Sequence, residues 1–207
     1  MIKPKYLILL SIFLITCKTL YADSPLTSTD FCKAYQNEKI VIRAAATDGV
    51  LTKQLIKFLL APKKPIAVKM AVINQLGWSF DGKQNASIFF DYLQEHKGYK
   101  GKDDLLKNAG ATELLCMAYL KAMDNYFEVD EAIVYAEQAV SKNPKSFTYN
   151  IICALIKAQR AMDDDWCTVF KLTDRVRMNR LLLMDMNQEA VNIIFEYMNL
   201  YQDECDD

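Results

Sequence analysis

Histidine is almost missing from this chain: His96 is the only one in 207 residues. A multi-histidine metal site is thereby excluded, and any histidine-centred triad would depend on this one side chain. Its neighbours Glu95, Lys97 and Gly98 place it at a solvated helix end. Glycine is scarce too, with 6 residues, and none of them forms a phosphate-cradling motif; Gly82 and Gly98 stand alone as turn or cap residues. Alternating strand patterns are rare, which argues against a sheet-based fold. An excess of positive charge is also lacking. With 25 basic and 26 acidic residues the net charge is −1, a balance that argues against general affinity for nucleic acid.

The N-terminus carries a targeting pattern. Lys3 and Lys5 precede an apolar run over residues 6–15, and Leu20-Tyr21-Ala22 then supplies a small residue before Asp23. Charge, apolar core and small-residue exit in that order read as a secretory signal, with cleavage near Ala22. The run is short for a membrane span, and a buried or anchoring N-terminal helix is the alternative. The expected organisation is therefore a signal peptide over 1–22 followed by one helical domain over 23–207. The expected location is the periplasm or cell envelope of a bacterium, or the medium. Residues 14–17, Leu-Ile-Thr-Cys, resemble the lipid-attachment box of bacterial lipoproteins, with Thr16 where that box has a smaller residue; Cys17 is the candidate lipidation site. Loss of 1–22 removes three lysines and no acid, leaving 22 basic against 26 acidic residues, a net charge of −4.

Helical spacing then recurs along the chain. Leu55, Ile56, Leu59 and Leu60 share one face of a short helix that must stop near Pro62. A second helix is expected from about Pro65 through Ala71, Val72 and Leu76 to Gly77, and a third through Ala86, Phe89, Phe90 and Leu93 to Gly98. The turn-rich residues 78–83 between these two predict a first antiparallel hairpin. Residues 114–120 are apolar without a break, which predicts a helix covered on several sides. Ala132, Ile133, Ala136, Ala139 and Val140 instead make a narrow stripe, opposite Glu131, Glu137, Gln138 and Lys142. Small side chains there allow close approach of helix axes, and Pro144 breaks the chain before another all-apolar helix over 151–156. Further helices are expected from Trp166 through Val169, Phe170 and Thr173, and over 188–201 through Val191, Ile194, Phe195 and Met198.

Leu115, Tyr119, Ala132, Ala139 and Pro144 make residues 112–161 resemble the tetratricopeptide repeat family. Cys116 stands where that family prefers glycine or alanine, and Ala136 where it prefers an aromatic. A gap of 46 residues separates Ala86 from Ala132, against the family period of about 34, so the likeness is confined to the 112–161 core. The resemblance implies an all-α fold, an irregular right-handed stack of antiparallel helix hairpins forming an α-α superhelix. A compact helical bundle with the same local spacing is the alternative. It also implies a noncatalytic role, with an inner-helix groove for a protein or peptide lined by Glu113, Met117 and Lys121 from one repeat and Ile151, Leu155 and Gln159 from the next. No cofactor is implied.

Other chemistries leave weaker marks. Residues 163–165 are three aspartates without the alternating oxygen ligands of a calcium loop, and read as caps for the Trp166 helix, whose far end carries Lys171, Arg175, Arg177 and Arg180. Lys53, Lys57, Lys63, Lys64 and Lys69 surround one short amphipathic helix; a solvated face is the expectation, and contact with an anionic membrane surface or an acidic partner the alternative. After export five cysteines remain, Cys32, Cys116, Cys153, Cys167 and Cys205, and their spacing matches no zinc motif. Helix register disfavours a Cys153–Cys167 bond, and Cys116 with Cys153, adjacent in successive inner helices, is the expected pair. Two further function classes stay open: an envelope hydrolase working through acids such as Glu113 or Asp124, and membrane-associated structural support through the lysine-rich segment or a lipid on Cys17.

Overall fold

The computed structural model describes residues 24–205. The expected signal peptide, with its expected cleavage near Ala22, and the lipidation candidate Cys17 lie outside the described residues. Within them the fold is all-α, with no strand. A 3-10 turn, Phe31–Tyr35, leads into α1 (Lys39–Ala45), α2 (Lys53–Leu60), α3 (Ile66–Leu76) and α4 (Asn85–Lys97). The short α5 (Lys102–Asn108) precedes α6 (Ala111–Asp124), α7 (Asp130–Lys142), α8 (Phe147–Ala161), α9 (Trp166–Met178) and α10 (Gln188–Met198).

Local chemistry sets most of these boundaries. Thr52, Ser146, Asp165 and Asn187 each precede a helix and accept a hydrogen bond from a first-turn N–H of it, so four orphan donors are satisfied. Of the three aspartates at 163–165, only Asp165 caps α9; Asp163 and Asp164 reach back to Arg160. Gly98 ends α4 in the left-handed region at φ 77°. Gly49 also has φ 77°, and a side chain there would stand 2.8 Å from the Leu76 carbonyl oxygen, so turn and helix end meet where only glycine fits.

From α6 to α9 the helices run up and down beside one another. Lys121 near the end of α6 pairs with Glu131 at the start of α7, while Lys142 at the end of α7 reaches the Ala109 carbonyl just before α6. Arg160–Asp130 and Lys157–Glu137 set α8 antiparallel to α7 in the same way. Thr112 and Tyr149 share a hydroxyl hydrogen bond of 2.9 Å, which brings the starts of α6 and α8 together. Ala132, Ala136 and Ala139 are fully buried, as the close approach of α7 requires. Helix α6 is buried over all of 114–120, and each of its leucines contributes about 1.5–3 kcal/mol on leaving water.

The N-terminal half is arranged differently from the expected first hairpin. Helices α3 and α4 each pack on α6, as does α2, and the pairing of α3 is with α1 and the 3-10 turn instead of α4. The reason is polar as well as apolar. Asn74 of α3 donates to the Thr29 carbonyl and to Tyr119 of α6, and accepts from Cys32 N–H. Asn85, at the start of α4, is bonded to Leu51 N–H and the Gly49 carbonyl. Asn74 thereby fixes α3 against Tyr119 of α6, while Asn85 fixes the start of α4 to the 49–51 turn. Helix α10 closes the molecule against the 3-10 turn, where Asn187 N–H donates to Tyr35 Oη at 2.9 Å.

Candidate functional site

The six residues expected to line an inner groove sit at every fourth position of α6 and α8, so they do share a side of their helices. The groove itself is closed. Met117, Ile151, Leu155 and Gln159 are buried, because α2, α3 and α4 pack on α6 and the terminal segments complete the core. Glu113 and Lys121 keep partial exposure and are already engaged. Glu113 accepts from Gly110 N–H and from Tyr99 Oη, both at 2.9 Å, and pairs with Lys97, so it caps α6 and ties it to the end of α4. Lys121 meets Glu131 at 2.8 Å. The open repeat groove is therefore corrected to a packed interior. Gln159 keeps a buried amide oxygen without a hydrogen-bond partner.

The carboxylates proposed for hydrolysis are occupied in the same manner. Asp124 accepts from Asn85 N–H at 3.1 Å and from Ala86 N–H at 2.7 Å, which makes the last residue of α6 the cap of α4. Burial pushes its pKa up, opposed by those two N–H groups and by Lys83. Glu113 and Asp124 stand eleven residues apart on one helix, about 16 Å, beyond the spacing at which two carboxylates flank a scissile bond. His96 stacks on Tyr92 with ring centroids 3.8 Å apart, and its Nδ1 lies 3.0 Å from the Tyr92 carbonyl oxygen. Among the described residues no group of three His, Cys, Asp or Glu is placed to hold a metal ion.

Cysteine pairing is a second correction. The disulfide joins Cys167 at the start of α9 to Cys205 at the C-terminus, with Cα atoms 4.7 Å apart, while Cys32, Cys116 and Cys153 are buried free thiols. Lys69 of α3 acts electrostatically on Cys116, whereas Cys153 lines a groove with Leu172 and Val176 of α9. Facing different neighbours, the two cannot bridge. Burial pushes the Cys116 thiol up to about 12 and the Cys153 thiol up to about 11, so neither is a ready nucleophile. The register argument against Cys153–Cys167 agrees with the observed pairing. Of the lysine cluster, Lys53, Lys57, Lys63 and Lys64 are exposed, but Lys69 is buried and its pKa lowered by that burial, so it is no surface cation.

A wide concavity lies elsewhere, where the turn from α6 to α7 meets the turn from α8 to α9. It is a cleft of about 810 Å³ bordered by Lys83, Phe127, Glu128, Asp130, Arg160 and Asp163, among others. Six carboxylates and three cations line it. Arg160 sits among Asp130, Asp163 and Asp164 at 3.2–3.4 Å, Lys121 is held by Glu131, and Lys83 is turned to the Leu76 carbonyl. Among the described residues no cation pairs with Glu128. Phe127 is 63% exposed at the rim and packs on Tyr126, which in turn meets Trp78 edge-on at 5.2 Å. An acidic cleft with an aromatic wall can take a cation both by charge and by the ring face. Sequence reading passed over Phe127, Glu128 and Arg160. The available signal was the long 125–129 connection with two adjacent aromatics, since extra loop length on a rigid scaffold often carries function.

No family model, curated protein or solved structure matches this chain.

Proposed function

We propose that this chain is an exported, noncatalytic binding protein whose partner is a protein segment rich in lysine or arginine, received in the cleft between the α6–α7 and α8–α9 turns. The observation that carries the reading is the composition of that cleft: six carboxylates to three cations, beside an exposed Phe127. Uncompensated acid speeds encounter with a basic partner, and the aromatic supplies the apolar anchor that charge alone lacks. The α6–α9 hairpins serve as a tetratricopeptide-like right-handed stack that holds the two turns side by side. The Cys167–Cys205 bond supports export, because disulfides persist in oxidising compartments. The caps made by Glu113 and Asp124 favour binding over hydrolysis, since both acids are committed to backbone and side-chain donors.

Trp78, two rings away from Phe127, provides the readout. Titration of the full chain with a lysine-rich peptide and with its glutamate-substituted counterpart is expected to change Trp78 emission for the basic peptide alone, with binding that weakens as salt rises. Glu128→Lys combined with Asp163→Lys is expected to lower that affinity about tenfold, roughly 1.4 kcal/mol. Equal responses to both peptides, or an unchanged affinity in the double variant, reject the cleft as the site.

A further inference from the structure

Several exposed large apolar side chains crowd into one turn. Met178 ends α9 at 65% exposure, and the connection to α10 then exposes Leu181 by 85%, Leu183 by 66% and Met184 by 57%. Single exposed leucines are ordinary, but four large apolar side chains within seven residues form a patch. The backbone beneath them is tied down. Leu183 N–H donates to the Lys145 carbonyl at 2.7 Å, and Phe147 N–H donates to the Leu183 carbonyl at 3.0 Å. Asp185 fixes the next residues by accepting from Thr148 N–H and Thr148 Oγ1, each at 2.8 Å, and from Ser146 Oγ. Leu182 packs against the core while Leu181 and Leu183 are held out in water.

Positive charge accompanies the patch. Lys171, Arg175 and Met178 follow at intervals of four and three, so they share one exposed face of α9 that leads to the turn. Arg180 lies between Met178 and Leu181, and Lys145 sits beneath Leu183. None of these four cations forms an ion pair among the described residues. The neighbouring acids are spent: Asp174 is taken by Arg177, and Asp185 by the start of α8; Glu189 lies in the first turn of α10. Aliphatic tips among unpaired cations match a surface that is anionic at its face and apolar just beneath. Such a surface needs no complementary pocket.

We infer that the 178–184 turn, with Lys171, Arg175 and Arg180, docks this chain on an anionic lipid bilayer by seating Leu181, Leu183 and Met184 among the headgroups. The turn lies at the opposite end of the α8–α9 hairpin from the acidic cleft, about 20 Å away, so a docked chain presents that cleft away from the membrane. Charge segregation along the hairpin has the same sense, with cations at the docking end and carboxylates at the other.

Leu181→Trp in the full chain places a reporter at the most exposed tip without touching the core. With vesicles of phosphatidylglycerol in brominated phosphatidylcholine, its emission is expected to shift to the blue and to be quenched beyond the parent protein, which shares the N-terminal apolar run and the two native tryptophans. Arg175→Glu with Arg180→Glu in the same background is expected to weaken vesicle binding by more than about 25-fold, at about fivefold for each cation. Circular dichroism checks that both variants keep the helical fold. Quenching no greater than the parent's, or equal quenching on phosphatidylcholine alone, overturns the inference. A blue shift that needs only higher protein concentration overturns it in favour of a second copy, and one produced by polyglutamate but not by vesicles in favour of an acidic protein.

Discussion

The two halves of this molecule are held by different chemistry. From α6 to α9 the helices are long, adjacent in sequence, and packed through alanines, aliphatic side chains and buried aromatics such as Tyr135 and Phe147, with ion pairs confined to half-exposed edges. From residue 24 to α5 most helices are shorter; α3 meets α6 through Asn74 and Tyr119, α4 through Asp124, and Asn74 and Asn85 bond to backbone 34–45 residues away. The difference follows from length. A short element has a large share of unsatisfied terminal N–H and C=O groups, and when its ends are buried those groups need partners with directional lone pairs or protons. Asparagine brings both a donor and an acceptor, so one side chain can serve two backbone segments at once. Regular packing tolerates a change of contact; a saturated polar junction does not.

The sharpest way to break this contrast is at Asn74. Its amide joins Thr29, Cys32 and Tyr119, and Tyr119 is fully buried with its hydroxyl pKa driven upward by that burial. Asn74→Ala removes three hydrogen bonds and strands their partners, at a cost of about 3–5 kcal/mol. The urea midpoint should fall accordingly, and the N-terminal segment should lose amide protection before α6 does. A loss under about 1 kcal/mol would place the weight of this junction on apolar packing instead.

The corresponding change in the regular half is Ala136→Leu. Ala136 is fully buried on α7, and three added carbons must push α7 away from its neighbours. Overpacking of this kind costs about 1–3 kcal/mol, less than the polar junction, because facing helices can shift together. Val134→Leu, on the exposed side of the same helix, is the control and should leave the denaturation curve unmoved. If Ala136→Leu proved as tolerated as the control, the alanine stripe would not be what fixes the spacing of these helices.

The contrast also explains what could be read from residues alone. Periodicity placed α2, α3, α4 and α6 to α10, and the unbroken apolar run at 114–120 correctly announced burial on several sides, because both are local properties of the chain. The partner of Asn74 is not local, and nothing near Asn74 or Asn85 distinguishes a core junction from a surface amide. The same limit closed the predicted groove. Met117, Ile151 and Leu155 have the spacing of a lining surface, but spacing says nothing of the α2–α4 segment that packs on α6. Cys205 escaped for a similar reason: the counting that set aside Cys153–Cys167 works within one hairpin, while the bond to Cys167 arrives from a tail 38 residues away. The cleft depended on two turns meeting, which is a property of the packed hairpins and not of either turn.

Glu131 crosses between the halves by charge, as Glu113 does through Lys97, and it gives the smallest expected effect. Its carboxylate meets Lys121 of α6 at 2.8 Å and Lys102 of α5 at 2.9 Å. Burial alone would raise its pKa, but the hydrogen bonds from Lys121 and Lys102 outweigh it, and the net shift is downward. A depressed carboxylate stabilises the fold above the ordinary glutamate pKa of about 4.3 and loses that contribution as pH falls through the folded value. Asp124 acts in the opposite sense, since its raised pKa means that stability is gained as pH falls through the folded value. Solvent reaches about a third of the Glu131 side chain, so screening holds its share below about 1 kcal/mol. Glu131→Gln should therefore lower stability slightly at neutral pH and flatten its decline between about pH 5 and 3, while Asp124→Asn should steepen that decline. Melting curves recorded across this range test both signs, and a Glu131→Gln profile parallel to the parent's would show that the two halves are joined by packing without help from this ion pair.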